Sequence, residues 1–469
     1  MDSPVISLTS LPRRRRFLPH RPLLLGLSAL LLLAGCESAT VPTAIPPVQD
    51  TPPPSAAAAP AVILGGPLRA ETAEPPAGTA VTQTDLDSRI RVGLLLPLSG
   101  PQARLGQALL NAAQMALFDV GGDGFALVVG DTGSSPEGAV AATQQVLSKG
   151  AKLILGPLFA TSVEAMAASA RAAQVNVVAY SNDRAVAGDG VYVVGLGPRP
   201  QMDRMITYAV SQSLTRLAVF APDTPYGAAV VDSARDAAAR TGAVLTRVVM
   251  YKSDAPDLTP EVRLLADYEA RHQALLAQRQ LLAASTDEAA MLALKRLDGL
   301  ETMGPPDFHA VILPDGSKRV QSIAPLLAYF DVDPAEIRFL GTALWDDPEL
   351  GAEPSLQNAW FTAPTPALWT SFRDRYQKTF GEAPPRLATL AYDTTALSAV
   401  LARRAQEKGQ EPDFSQVALT QASGFSGIDG VFRFLPTGEV ERTLAILEIR
   451  RNGFKVIDEA PRSFQPLVN

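Results

Sequence analysis

The sequence predicts an α/β protein with two doubly wound parallel-sheet lobes. Three observations carry this. Short apolar runs alternate with helical periodicity from Ile90 onward, the alternation starts afresh near Pro200, and the roughly 380 residues after the N-terminal region exceed what one core usually serves. Strands alternating with helices imply right-handed crossovers and a parallel sheet covered on both faces.

Arg91–Leu96 ("RVGLLL") reads as a buried strand, followed by Leu105, Leu109, Ala112, Ala113, Ala116 and Leu117 at helical spacing. The pattern continues with strand 125–129, helix 136–148, strand 152–155, helix 161–173 and strand 175–180. The second series has helix 201–213, strand 216–220, helix 225–240 and strand 243–250, then strand 308–313, helix 318–329 and strand 337–341. Between them residues 258–300, rich in Leu, Ala, Arg and Glu, read as one long helix or a helical hairpin inserted into the second lobe. That insertion serves either lobe packing or a partner.

The N-terminal 35 residues read as an export signal. Arg13–Arg16 and Arg21 form a basic region, and Leu23–Leu33 is an apolar core of about a dozen residues, shorter than the about 20 that span a bilayer. Leu33-Ala34-Gly35-Cys36 resembles the bacterial lipobox, which implies acylation of Cys36, the only cysteine of the chain. Several acyl chains anchor a protein stably where one does not. Glu37 follows rather than the aspartate of an inner-membrane retention signal, so the expectation is a periplasmic body anchored to the inner leaflet of the outer membrane. Arg14-Arg15-Arg16-Phe17-Leu18 also resembles a twin-arginine motif, and the choice of export route stays open.

Residues 36–89 are expected to be the acylated N-terminus and a disordered tether, since 37–88 hold ten prolines among Ala, Thr, Ser and Gly. Stretched, such a tether reaches on the order of 150 Å. Removing residues 1–35 takes away five arginines and one aspartate, lowering the formal charge from −7 to −11. An acidic body argues against nucleic acid or anionic lipid as the main partner.

"RIRVGLLLPLSGPQARLGQALLNAAQMAL", "DTGSSPEGAVAATQQVLSKGAKLILGPLFATS", "APDTPYGAAVVDSARDAAARTGA" and "LATLAYDTTALSAVLARR" resemble, in the same order, stations of the type I periplasmic binding proteins of the Leu/Ile/Val-binding kind. The resemblance covers nearly all of residues 90–460. It implies three crossovers, near 198, 364 and 430, with lobe 1 as 90–198 plus 366–429 and lobe 2 as 199–365 plus 430–460.

Open α/β sheets bind ligands outside the carboxyl ends of their strands, near helix N-termini. The candidate cleft residues are therefore Ser99, Gly100, Phe159, Thr161, Ser162, Ser181, Asn182, Asp183 and Tyr226. Three positions depart from the amino-acid binders. Leu105 replaces an aromatic residue, and Ala160 and Asp183 stand where hydroxyls are usual. A carboxylate facing a ligand carboxylate is costly, so a free amino acid is disfavoured. Tyr226 matches the family's tyrosine of the second lobe, and packing at the start of its helix is its alternative role.

Residues 176–227, with Ser181-Asn182-Asp183, the Val191–Gly197 strand and the Asp223–Gly227 turn, are similar to the lipoproteins that activate penicillin-binding proteins. That resemblance implies docking onto a bifunctional peptidoglycan synthase and stimulating it. The alternative is a substrate-binding lipoprotein of an amino-acid or amide ABC importer, and either leaves room for an unidentified small ligand in the cleft. The helical-repeat domain that enteric members carry before the body is not seen.

Catalysis is not expected, nor any cofactor or metal. Asp131-Thr132-Gly133-Ser134-Ser135 matches a pepsin-like signature, but that chemistry needs a second aspartate sharing a proton. The nearest second motif, Asp393-Thr394-Thr395, lacks the glycine and lies in a helical pattern. There is no G-x-S-x-G elbow, H-E-x-x-H helix or P-loop in the body. His272 and His309 read as surface or packed residues; Trp345, Trp360 and Trp369 flank the second crossover and read as residues that help the lobes pack, with lining a cleft as the alternative.

Overall fold

In the computed structural model, the residues described are 61–63, 89–122 and 124–464. The signal, Cys36 and the greater part of the tether lie outside them. β1 (Val62–Ile63) falls within the stretch read as disordered tether, yet it forms a ladder with a strand far down the chain.

The first lobe contains β2 (Ile90–Leu96), α1 (Ala103–Ala116), β3 (Phe125–Asp131), α2 (Pro136–Ser148), β4 (Ile154–Leu155), α3 (Ala160–Ala172), β5 (Val177–Ala179) and β6 (Val191–Val193). Its five strands run parallel in the order β3-β2-β4-β5-β6. Period-two alternation decides the faces. Val92, Leu94 and Leu96 point to one core and Leu95 to the other, with Val146 and Met166. α2 begins where the sequence signals: Ser135 Oγ accepts from the Gly138 amide at 3.0 Å, and Pro136 occupies the first turn.

After the first crossover come α4 (Pro198–Ser211), β7 (Arg216–Pro222), α5 (Pro225–Thr241) and β8 (Val244–Tyr251). The insertion follows as α6 (Thr259–Leu265), α7 (Tyr268–Ala283) and α8 (Glu288–Arg296). It is neither one long helix nor a plain hairpin: Asp267, in the left-handed conformation, interrupts it before α7. Arg271, 8% exposed, fastens it by donating to Ala266 O, Thr302 Oγ1 and Gly304 O. Arg279 bonds the carbonyls of Leu297 and Leu300, closing α7 onto the segment after α8. α8 itself buries no residue.

β9 (Ala310–Ile312), α9 (Ser317–Tyr329), β10 (Arg338–Gly341) and β11 (Trp360–Ala363) complete the parallel part of the second sheet. The chain then returns to the first lobe as α10 (Pro366–Phe380), α11 (Ala388–Glu407) and α12 (Gln416–Leu419). Phe372 and Tyr376 of α10 and Leu397 and Val400 of α11 join the first-lobe core. β15 (Ala445–Arg450) and β16 (Gly453–Asp458) finish the seven-stranded sheet, ordered β16-β15-β11-β10-β9-β7-β8, with these last two antiparallel.

The third crossover lies at Thr443–Leu444 rather than near 430. β12 (Phe425–Gly427), β13 (Gly430–Phe434) and β14 (Val440–Arg442) form a four-stranded sheet ordered β1-β12-β13-β14. The cause is burial: Phe425, Phe432, Phe434 and Val440 pack into the first-lobe core, which holds the hairpin on that side until β14 ends. Among the described residues no helix is long and apolar enough to cross a membrane.

Candidate functional site

The loops beyond the strand ends are tied to one another. Asp131, at the end of β3, accepts on Oδ1 from the amides of Leu98 (2.9 Å), Ser99 (3.1 Å) and Gly133 (2.8 Å). Burial raises its pKa, but the hydrogen bonds from the Ser99 side chain and these three amides outweigh it and hold the carboxyl below its usual range. Ser134 Oγ donates to Ser99 O at 2.9 Å and receives the Gln102 amide at 3.3 Å. The DTGSS segment thus clasps the exposed Ser99-Gly100 turn. Asp393, the nearest candidate for a second protease aspartate, is fully buried inside α11.

Phe159 caps α3 without a side-chain hydrogen bond, Thr161 is exposed and Ser162 is 1% exposed. The other first-lobe loop serves itself. Ser181 Oγ accepts the Asp183 amide at 3.1 Å, Asp183 Oδ1 accepts the Ala185 amide at 2.9 Å, and Asn182 is exposed beside them. Asp183 thus closes its own turn with one carboxylate oxygen while its side chain stays exposed. Tyr180, just before it, is a core residue whose hydroxyl receives the Thr394 side chain.

On the second lobe Tyr226 lies in the first turn of α5, where Thr224 Oγ1 accepts the Gly227 amide at 3.1 Å. Burial raises the Tyr226 pKa while hydrogen bonds with Thr342 and Gln201 oppose it. Gln201, on α4 and 1% exposed, accepts the Ala343 amide at 2.7 Å and donates to Gly197 O at 2.9 Å. One polar knot therefore binds the first crossover, the start of α5 and the loop after β10. Sequence reasoning missed Gln201, whose signal is a polar residue one turn before Met205 on the apolar face of α4. It also missed a surface pocket of about 430 Å³ at the start of α9, bounded by Asp315, Gly316, Ser317, Lys318, Arg319 and Asp347. Tyr251 donates to Asp315 Oδ2 there at 2.7 Å.

A second cluster occupies the hinge. Arg386, before α11, reaches Asp346 of the second lobe (Nε–Oδ2 3.5 Å) and Asp429 of the first (Nη1–Oδ1 2.5 Å). Thr389 Oγ1 donates to Asp429 Oδ2 at 2.6 Å. Arg442, at the end of β14, donates to Asp429 O (3.2 Å) and Val194 O (3.3 Å), linking the third crossover to the first. Asp393 accepts the Ile428 amide at 2.8 Å, and a methyl group on Gly427 would collide with its carboxylate. Burial, then the charge of Asp429, pushes the Asp393 pKa up to about 7 against the pull of Arg442 and two amides. Burial likewise raises Asp346, with Arg386 opposing.

Trp345 is fully buried, Trp360 nearly so, and Trp369 half-buried beneath the Arg386 guanidinium at 4.6 Å. His309 is exposed, and His272 Nδ1 lies 2.6 Å from Glu301 O. Among the described residues no three His, Cys, Asp or Glu converge as a metal site. The arrangement offers clasped loops, uncapped helix N-termini and a charged hinge.

A family model described as periplasmic binding protein matches residues 89–454. A putative branched-chain amino acid ABC transporter protein from Rhodospirillum rubrum shares the fold with a TM-score of 0.62 at 15% identity, over 79% of this chain and all of its own. An ABC transporter substrate-binding protein from Sphaerobacter thermophilus gives 0.58 at 16% identity, over 81% of this chain and 98% of its own. A solute-binding protein from Rhodopseudomonas palustris, solved with 3,4-dihydroxybenzoic acid, gives 0.53 at 15%, over 81% and 98%. The uncharacterized protein RP748 of Rickettsia prowazekii is 29% identical over 119 residues, which are 25% of this chain and 32% of the length of that curated relative.

Proposed function

Because this chain belongs to the periplasmic binding protein family, we propose that it is a non-enzymatic receptor that holds a small organic solute between its lobes and serves an ABC importer. The supporting observation is the extent of the family match, residues 89–454, which runs through both lobes and all three crossovers. The solute is not a free α-amino acid: Ala160 offers no hydroxyl at the start of α3, and Asp183 brings a carboxylate to the neighbouring loop. Aromatic acids belong among the test solutes, since relatives of this fold from Rhodopseudomonas palustris were solved with 3,4-dihydroxybenzoic acid and with benzoate.

A thermal-shift screen of the mature chain tests the reading. A solute at a hundred times its Kd stabilises the folded state by about 2.7 kcal/mol, a rise of several degrees in Tm. A screen of amino acids, amides and aromatic acids with no rise contradicts it.

A second reading, activation of a bifunctional peptidoglycan synthase, is favoured by the insertion. α8 buries nothing, and Leu276, Leu281, Met291 and Leu292 are exposed there, a surface that solute capture does not use. Adding the purified chain to a synthase and seeing unchanged glycan polymerisation and cross-linking removes this reading. Both readings place acyl chains on Cys36 and moor the body at the outer membrane, which mass spectrometry of the N-terminal peptide tests.

A further inference from the structure

β1 places Val62 opposite Phe425 and Ile63 opposite Ser426 in a parallel ladder with β12. On its other side β12 pairs with β13, where Ser426 faces Val431. Both peptide groups of Val431 turn away from β12: its N–H donates to Thr443 Oγ1 at 3.3 Å and its C=O accepts the Thr443 amide at 2.8 Å. In an antiparallel pair, residues directly opposite each other point their peptide groups alike, either toward each other or both away. The N–H and C=O of Ser426 therefore face the outer edge, where β1 lies. Without β1 that edge is an open template for an extended segment.

The occupant is set by the chain itself. Val62, Ile63 and Leu64 are the only three consecutive branched aliphatic residues between Cys36 and Arg89. Such residues favour strands, whereas the prolines around them do not. A ladder this short is marginal alone. Covalent continuity with β2 gives the segment a high local concentration at the β12 edge, and loop-closure cost grows only logarithmically with length.

We propose that Val62–Ile63 is a mooring strand that docks on β12 and divides the tether, giving the anchored body a short reach when docked and a long one when released. The inference rests on acylation at Cys36. From Cys36 to Ala61 the chain has 25 residues and spans at most about 90 Å; from Cys36 to Arg89 it has 53 and spans at most about 190 Å. Docking thus halves the distance at which the body meets anything across the periplasm.

The test has two arms. In the unacylated full mature chain (Cys36→Ser), amide hydrogen exchange at Ser426 is compared with and without Val62→Pro, which deletes the N–H that faces β12 and fixes φ. A Val62→Gly/Ile63→Gly variant serves as a second disruption. Both should exchange at least tenfold faster at Ser426 with unchanged exchange in β2, and equal exchange overturns the docking whatever the state of Cys36. In the acylated chain on phospholipid vesicles, energy transfer from the bilayer to a dye at Thr437 should fall on Val62→Pro. Unchanged transfer there, with Cys36 shown to be acylated, overturns the two reaches.

Discussion

Arg386 holds the two lobes together: its Nε lies 3.5 Å from Asp346 Oδ2 across the hinge while its Nη1 lies 2.5 Å from Asp429 Oδ1 on its own side. These bonds differ in consequence. Asp346 is a partly exposed interlobe partner, whereas Asp429 is nearly buried and its carboxylate would keep only the Thr389 hydroxyl and the nearby charge of Arg442. Asp346→Asn should cost about 1 kcal/mol and broaden the interlobe angle seen by small-angle scattering. Arg386→Ala should cost about 3 kcal/mol. Urea unfolding of both variants checks this, and a larger loss for Asp346→Asn contradicts it.

Asp393 should give stability a definite slope with pH. Its folded pKa, about 7, lies above the unfolded aspartate value near 4, so between those limits the folded state holds a proton that the unfolded state has lost. Stability from this group is therefore full below about pH 4 and is lost as pH rises through about 7. Asp393→Asn should flatten the fall in urea midpoint between pH 5 and pH 8. A variant with the same slope as the wild type contradicts the assignment.

Asp131 has the opposite sign. Its folded pKa is depressed, so its contribution is present above about pH 4 and lost as pH falls through the folded value. Asp131→Ala leaves the amides of Leu98, Ser99 and Gly133 without their acceptor, and at this exposed position the cost should be about 1 kcal/mol. The difference between wild type and variant should shrink when melting is followed below pH 3.

Gln201→Ala removes the acceptor for the Ala343 amide and the donor to Gly197 O in a buried knot, at a cost of about 2 kcal/mol. Tyr226→Phe removes a hydroxyl from the same knot and should cost about 1 kcal/mol. If the two losses are coupled through Thr342, the double variant loses less than their sum, which a double-mutant cycle reads directly.

The fold was legible where local pattern and burial agree. Leu94, Leu95 and Leu96 point to alternate cores as their spacing implies, and α2 runs from Pro136 to Ser148 as Ser135-Pro136 announces. The third crossover was not legible near 430, because Phe432 and Phe434 alternate in the same way whichever lobe buries them. That Asp183 caps its own turn was not legible either, since local sequence does not reveal where such a carboxylate bonds. The hinge was hidden for another reason: Asp346, Arg386, Asp429 and Arg442 lie on separate segments and meet only once the crossovers assemble. Of that cluster only Asp393 carried a signal, the one charge within residues 388–402 of a helix that is buried over that stretch.

Native mass spectrometry of the mature chain, taken gently from its own periplasm, tests solute capture most directly. The account predicts one small molecule per chain, released on denaturation and restoring the higher Tm when added back. A chain that carries only its own mass, and gains none on incubation with periplasmic extract, contradicts it.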